Sequence, residues 1–263
     1  MSQSESRLGV VFGGANGIGE ACCRLMQSRG WRVAVVDIDE AAARQVASEV
    51  GVGGYCADVG DLAAIEKLAA DVEREHGPVY GLVVSSGAFQ ERCAPDEMSM
   101  DIWKRMFEVN VEGTFNANRV FGTAMAKRGR GTIVNVASSS AYASTPLYAY
   151  GPSKAAVVNL TRSLAVQWAR SGVRVNSVSP GHVMVPRKAK RPPGRYAADI
   201  NAHIAMGRHI EPVEIAETVE FLASDRASAI TGVDILVDAG MIPAGSWGLY
   251  GGVPPSIAEN PKA

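Results

Sequence analysis

Tyr150 and Lys154 are residues whose types and spacing could move a proton. Residues four apart share one face of a helix, so the lysine ammonium can lie beside the tyrosine hydroxyl. A free phenol has a pKa near ~10, and a neighbouring cation lowers that pKa by stabilising the phenolate. The same spacing is common on solvated helix faces. The pair makes Tyr150 a candidate general acid or base. Whether it is catalytic or an ordinary surface pair depends on motifs elsewhere in the chain.

The surrounding sequence predicts a helix that starts at Tyr150. Pro152 suits the first turn of a helix, the following residues are largely apolar, and Gly172 is a natural stop. Such a helix would place Tyr150 and Lys154 on one face.

A glycine-rich loop near the N-terminus predicts a phosphate-binding site. The apolar run Leu8–Phe12 leads into this loop, and a helical pattern follows over residues 20–29. Glycines let the backbone approach a pyrophosphate, and the helix N-terminus supplies unpaired amides. The loop contains Gly13, Asn16, Gly17, Ile18 and Gly19. An ordinary glycine-rich turn is the alternative.

Asp37 favours the phosphate-site interpretation. It ends a predicted buried strand over residues 31–36, at 18 residues after Gly19. A carboxylate there can accept hydrogen bonds from the adenosine ribose hydroxyls and would repel a 2′-phosphate. Asn16 and Ile38 supply no cation for such a phosphate. NAD is therefore the predicted cofactor and NADP the less favoured one; a surface loop acid is the alternative.

Strands alternate with helices along the chain, which predicts an α/β fold with a doubly wound parallel sheet. Further strands are predicted before Cys56 and over residues 80–85, 132–136, 173–178 and 234–237. Further helices are predicted over residues 40–49, 61–75, 99–126 (interrupted at Asn110 and Gly113) and 213–223. We expect a single domain over residues 1–263, with a basic insert at 182–208 and a C-terminal tail at 241–263.

Composition excludes several classes of function. The 263 residues are 47% apolar and 20% charged with a net charge of −1, so neither nucleic acid nor a membrane is expected as the main partner. The N-terminus lacks the apolar segment of a signal peptide. Cys22, Cys23, Cys56 and Cys93 have no metal-ligand spacing, so we expect buried free thiols, no metal site and a cytoplasmic protein.

In combination, the motifs resemble the short-chain dehydrogenase/reductase family over about residues 8–240. The motifs are the glycine loop, Asp58-Val59, Asn110 within Val-Asn-Val, Ser138, Tyr150-x-x-x-Lys154, Pro180-Gly181 and the closing stretch over residues 221–240. The resemblance implies a Rossmann-type sheet of about seven strands, a bound nicotinamide dinucleotide and interconversion of a secondary alcohol and a ketone. It also implies a homotetramer.

The resemblance assigns roles to individual residues. Tyr150 would move the substrate proton, Lys154 would hold the nicotinamide ribose and lower the tyrosine pKa, Ser138 would bind the substrate oxygen, and Asn110 would support a water. Asp58 would face the adenine amino group. The implied cofactor site comprises Gly13, Asn16, Gly17, Ile18, Gly19, Asp37, Ile38, Asp58, Val59, Ser85, Gly87, Tyr150, Lys154, Pro180, Gly181 and Val183.

Three positions depart from the family pattern. Phe12 replaces a threonine, Val84-Ser-Ser-Gly87 replaces Asn-Asn-Ala-Gly, and Val185 replaces a threonine after Pro180-Gly181. The first two places touch each other in the family, so we hypothesise an apolar repacking of Phe12 against the Val84 region. Val185 cannot hydrogen-bond the nicotinamide amide through its side chain.

Substrate specificity is expected in the basic insert, which the family uses as a lid. It carries Arg187, Lys188, Lys190, Arg191, Arg195 and Arg208 against the single acid Asp199. These cations predict either recognition of an anionic substrate or only a solvated lid. Candidate pocket walls are Gln90, Ser140, Tyr148, His182 and Met184. The aromatic tail is predicted to pack on its own or a neighbouring subunit as neither helix nor strand.

Two other functions remain open. One is a catalytically silent NAD-binding regulator or structural protein, against which the intact set of Asn110, Ser138, Tyr150 and Lys154 argues. The other is a reductase of C=N bonds or of diols within the same family.

Overall fold

The computed structural model describes residues 7–184 and 200–256. Within these ranges the strands are β1 (Leu8–Phe12), β2 (Arg32–Asp37), β3 (Gly53–Cys56), β4 (Val79–Val84), β5 (Gly131–Val136), β6 (Val173–Pro180) and β7 (Asp234–Val237). The helices are α1 (Gly17–Ser28), α2 (Glu40–Val50), α3 (Leu62–His76), α4 (Met100–Phe107), α5 (Gly113–Arg128), α6 (Tyr150–Trp168) and α7 (Pro212–Ala223).

The seven strands form one parallel sheet in the order β3-β2-β1-β4-β5-β6-β7. β1 and β5 are buried along their whole length, as expected of strands covered by helices on both faces. The order reverses at β1, since the chain adds β2 and β3 on one side and β4 to β7 on the other. A crevice outside the carboxyl ends of the strands follows from this topology, and the predicted Rossmann-type α/β fold is confirmed.

Two apolar layers hold helices against the sheet. One buried cluster includes Phe12, Val84 and Phe121, and the other includes Met26, Trp31 and Ile215. The Phe12 ring meets the Phe121 ring edge-on at 5.9 Å between centroids, and the sheet register pairs Phe12 with Val84. These contacts agree with the hypothesised apolar repacking, which stays a prediction until a variant tests it.

Most predicted elements agree with the structure to within two residues. α1 begins earlier than predicted, because Glu20 already donates to the Asn16 carbonyl and closes a helical turn over Gly17. The predicted interruption of the helix over residues 99–126 is a wide π-helical turn at Glu108–Glu112, which separates α4 from α5.

Two predictions about the periphery are wrong. Cys22 and Cys23 are buried, but Cys56 is exposed and Cys93 is half-buried. Cys56 ends β3 at the edge of the sheet, where no further strand covers it. The tail includes a 3-10 helix at Pro243–Tyr250, which the sequence did not indicate because this helix needs no apolar period. No helix among the described residues has the length and apolar character to cross a bilayer.

Candidate active site

A cleft of about 1380 Å³ opens at the carboxyl ends of the strands. Its walls include residues that follow β1, β2, β4, β5 and β6, together with the start of α6 and part of the tail. The cleft divides into a coenzyme half, lined by residues of the range 12–59, and a substrate half, lined by segments 138–147, 181–184, 200–209 and 241–245.

The glycine loop leaves room for a phosphate group at the N-terminus of α1. A Cβ atom on Gly13 would lie 2.6 Å from the Ser86 nitrogen, and one on Gly19 would lie 2.0 Å from the Gly13 carbonyl oxygen. Asn16, at the N-cap of α1, makes no side-chain capping bond. Gly19 shapes the loop without lining the cleft, whereas Gly13, Asn16, Gly17 and Ile18 do line it. The loop therefore fits a pyrophosphate bound by backbone amides and the helix dipole.

Asp37 stands at the end of β2 and is 9% exposed. Its carboxylate accepts hydrogen bonds from the Ala15 amide at 3.1 Å and the Asp39 amide at 3.2 Å. These bonds hold the carboxylate beside the glycine loop and aim it at the cleft, which it lines together with Ile38. The arrangement suits recognition of ribose hydroxyls.

Asp58 and Val59 line the same half of the cleft. The Asp58 carboxylate accepts from the Gly60 amide at 2.9 Å and from the Arg105 guanidinium at 3.1 Å. The pKa of Asp58 lies below its ordinary value. The hydrogen bond from the Gly60 amide is the largest cause, and the bond from Arg105 adds to it. Arg105 also pairs with Glu108 at 2.9 Å, so its charge is shared between two carboxylates. The sequence did not point to Arg105.

Tyr150, Lys154 and Ser138 meet where the two halves join. All three line the cleft; the Lys154 nitrogen lies 5.9 Å from the centre of the Tyr150 ring, and Lys154 reaches the end of β5 two residues before Ser138. Lys154 is 4% exposed and donates to the Val136 carbonyl at 2.9 Å. Burial lowers the pKa of Lys154 to about 8. Ser138 follows β5 and accepts from the Ser140 amide at 3.1 Å, which fixes its hydroxyl at the end of the strand.

Asn110 lies beneath this group in the wide turn between α4 and α5. It is fully buried, and its amide exchanges two hydrogen bonds with the Ala88 backbone, at 2.8 and 3.2 Å. It also donates to the Ser153 hydroxyl at 3.0 Å. The extra residue of the wide turn lets this side chain reach the loop after β4 while α5 keeps its packing.

Gly87 separates Asn110 from Lys154. A Cβ atom at this position would lie 3.4 Å from the Asn110 side-chain oxygen and equally far from the Lys154 nitrogen. Asn110 does not line the cleft, but it approaches Lys154 across Gly87. Ser85 and Gly87 themselves line the cleft, as predicted for cofactor-binding positions.

The substrate half contains three of the five predicted wall residues, Ser140, His182 and Met184. Gln90 and Tyr148 are not among the described walls. Gln90 is turned into the protein, where its side chain accepts backbone hydrogen bonds, and Leu147 takes the wall position next to Tyr148. Pro180, Gly181 and Val183 line the cleft as predicted cofactor positions.

The sequence missed several walls of the substrate half. His203 and His209 line it with His182, and the His182 and His209 rings are 6.2 Å apart at a right angle. Met241 and Ile242 bring the start of the tail to the same place. The large side chains on which the packing prediction rested, Trp247, Leu249 and Tyr250, are exposed. Three of the four histidines of the chain lie in this half of the cleft, so their small number was the one sequence feature that could have drawn attention to them. Nothing in their spacing showed that they converge.

Most residues of the predicted lid lie outside the described ranges. These include Val185, Arg187, Lys188, Lys190, Arg191, Arg195 and Asp199. Arg208 is described, and it pairs with Glu214 at 2.8 Å at the start of α7. Arg208 therefore has a structural partner. Among the described residues, no group of histidine, cysteine or acidic side chains could hold a metal ion.

Comparison with known proteins agrees with this geometry. The family model described as enoyl-(acyl carrier protein) reductase matches residues 13–242. The D-threitol dehydrogenase of Mycolicibacterium smegmatis is 35% identical over 243 residues, which cover 90% of this chain and 93% of that protein. The galactitol 2-dehydrogenase (L-tagatose-forming) of Cereibacter sphaeroides is 39% identical over 239 residues, covering 88% and 93%.

A solved structure described as ribose-5-phosphate isomerase from Brucella melitensis 16M has a TM-score of 0.90 and 40% sequence identity. The match covers 95% of this chain and 98% of that one. The range matched by the family model includes the glycine loop, Ser138, Tyr150 and Lys154. The chain belongs to the short-chain dehydrogenase/reductase family.

Proposed function

We propose that this protein is an NAD-dependent dehydrogenase of a polyol. The family assignment makes it an oxidoreductase that interconverts secondary alcohols and ketones. The observation that carries the proposal is that Ser138, Tyr150 and Lys154 line one cleft, together with the glycine loop and Asp37 on one side and a mixed polar and apolar wall on the other. A proton carrier, a cation and a hydroxyl donor are what alcohol oxidation beside a dinucleotide requires.

Each residue has a part in the proposed reaction. Tyr150 takes the proton of the substrate hydroxyl, and the Lys154 charge favours the phenolate that does so. Ser138 donates to the substrate oxygen and fixes its position. Asn110 holds a water that carries the proton onward from Lys154, a role supported by the approach of both side chains to Gly87. NAD, when bound, supplies the hydride acceptor.

Asp37 supports NAD as the coenzyme. Its carboxylate lies at the end of β2, and the described walls over residues 12–59 contain no lysine or arginine. The wall cations outside this range are Arg92, Arg105 and Lys154, and Asp58 and Glu108 already engage Arg105. A 2′-phosphate would therefore meet a negative charge without a compensating cation.

A polyol substrate is supported by the walls and by the relatives. Beside apolar walls such as Met184, Met241 and Ile242, the described part of the substrate half contains no carboxylate. Its polar groups include imidazoles and hydroxyls, from His182, His203, His209, Ser140 and Thr145. Such groups both donate and accept, which suits neighbouring hydroxyls. The two curated relatives described above are named for threitol and galactitol. An anionic alcohol is the alternative that the basic residues 187–195 favour.

Reduction of NAD with a panel of alcohols tests this function. Threitol, galactitol and glycerol are expected to outperform 2-butanol and a hydroxycarboxylate, and NAD to outperform NADP. Tyr150→Phe is expected to lower kcat by roughly 10²- to 10⁴-fold while NAD affinity persists. Ribose 5-phosphate without NAD serves as a control for isomerisation. Equal turnover by the Tyr150→Phe variant would refute the assignment.

A folded protein that binds NAD and oxidises no alcohol would instead favour the silent regulator, and activity confined to imines would favour a C=N reductase. The single domain, the homotetramer and the cytoplasmic location belong to the same proposal through the family resemblance. Sedimentation and fractionation measurements address the last two.

A further inference from the structure

Helix α6 carries the proposed proton carrier at its first position, where helices lack their own hydrogen-bond partners. Its N-cap residue is Ala149, which has no side-chain acceptor and is fully buried. A buried amide without a partner costs free energy, so the partners of the first amides of α6 can be traced one by one.

One side chain from a distant part of the sequence accepts hydrogen bonds from two of these amides. The Gly151 amide donates to the Leu147 carbonyl at 3.0 Å, and Pro152 has no amide hydrogen. The two remaining amides, of Ala149 and Tyr150, both donate to the side-chain oxygen of Gln90, at 2.7 and 2.9 Å. Gln90 therefore caps the helix from a distance of 59 residues along the sequence.

Gln90 is itself held in place. It is 3% exposed, and its side-chain nitrogen faces the Glu91 carbonyl at 3.4 Å and the Cys93 sulfur at 4.0 Å. Reversing the amide would set its N–H groups against the two helix amides, so the hydrogen-bond pattern fixes its orientation.

Other residues near Gln90 contact the ring and the carbonyl group of Tyr150. The Phe89 ring lies 4.7 Å from the Tyr150 ring, centroid to centroid. The Tyr150 carbonyl accepts from the Ser153 hydroxyl at 2.7 Å, and Ser153 in turn accepts from Asn110. The loop after β4 thus contacts the amide and the ring of Tyr150, while Asn110 ties that loop to its carbonyl.

We propose that Gln90 is a positioning residue, which holds the start of α6 so that the Tyr150 hydroxyl meets the substrate beside Lys154. Gln90 does not belong to the described walls of the cleft, so the proposed role acts through Tyr150. Its loss would leave two buried amides unpaired and let the first turn shift. Proton transfer is sensitive to such a shift, because a displacement of about 1 Å can cost roughly 100-fold in rate.

Three variants test this role in the full-length protein. Gln90→Leu keeps the side-chain size and removes the acceptor, and it is expected to lower kcat by roughly 30- to 100-fold with little change in NAD affinity. The acid limb of its pH profile of kcat should move to higher pH. Gln90→Glu keeps the acceptor and should retain kcat on the alkaline plateau within about threefold. Gln90→Asn folds most readily and is too short to reach both amides, so about a tenfold loss is expected.

The kinetic readout rests on the proposed function, whereas hydrogen exchange of residues 149–151 does not. Exchange there should accelerate in Gln90→Leu and stay unchanged in Gln90→Glu. An inactive parent would end the proposed function, and the exchange result would still decide the capping role. Parent-like kcat in Gln90→Leu or Gln90→Asn, a change in alcohol KM alone, or equal losses in Gln90→Leu and Gln90→Glu would each overturn the inference.

Discussion

The two halves of the cleft are built in different ways. In the coenzyme half, the glycine loop, Asp37 and Asp58 lie at or just after the ends of strands, and backbone amides bind the two carboxylates. In the substrate half, four separate segments supply side chains that meet only when the whole chain is folded. The first half is therefore specified by local sequence, and the second by the long-range assembly of loops.

The largest effect is expected where the halves meet, at Lys154. Burial lowers its pKa from an ordinary value near 10.5 to about 8. Between these values the unfolded chain binds a proton that the folded chain lacks, so this residue makes the free energy of unfolding rise with pH. Lys154→Met should lose this rise. The difference in unfolding free energy, parent minus variant, should grow by about 2 kcal/mol from roughly pH 7.5 to 9.5.

Denaturant unfolding of both proteins at the two pH values measures this difference. Lys127→Met replaces an exposed lysine and is the matched control, with no change in slope expected. A difference that stays constant with pH would mean that Lys154 is not the buried cation that the structure shows.

A smaller effect is expected from Asp37→Ala, which tests the coenzyme half alone. Removing the carboxylate should weaken NAD binding about tenfold and narrow the preference over NADP, while KM for the alcohol stays within about twofold. Asp39→Ala is the control, because Asp39 caps α2 through the Ala42 amide at 3.0 Å and does not belong to the described walls. Titration of both variants with NAD and NADP gives the affinities. An equal effect of the two substitutions would contradict the role of Asp37.

The smallest effect is expected in the substrate half, from the double substitution Met241→Ala and Ile242→Ala. These residues form one wall among several, so KM for the alcohol should rise about threefold with NAD affinity unchanged. Leu249→Ala alters an exposed residue of the same tail outside the described walls and should change neither constant. A loss of NAD affinity in the double variant would show that the two halves are not separable.

The same contrast explains what the sequence could predict. The start of α6 at Tyr150, the strand that ends at Asp37 and the interruption at Asn110 all follow from patterns within a few residues. The convergence of His182, His203 and His209 does not, since no local pattern encodes a meeting of three loops. The contacts of Gln90 were not predicted for the same reason: its partners lie 59 and 60 residues away and are backbone amides.

Arg105 was missed because a charged residue on an amphipathic helix reads as a solvated side chain. Its contact with Asp58 joins residues 47 apart in the sequence. Phe12 shows the opposite case, in which a departure from the family pattern was visible in the sequence and its partner Phe121 was not.

The wide turn at Glu108–Glu112 gives the molecule two independent adjustments. α5 packs against β4 and β5 of the sheet, whereas α4 contacts the wide turn and α6, and the Asn110 amide reaches the Ala88 backbone from the turn between the two helices. Substitutions that change the sequence or tilt of these helices can thus leave the contacts of Asn110 with the loop that carries Gly87 unchanged. Deleting a single residue from the turn would restore an ordinary helix and rotate that amide away from its target.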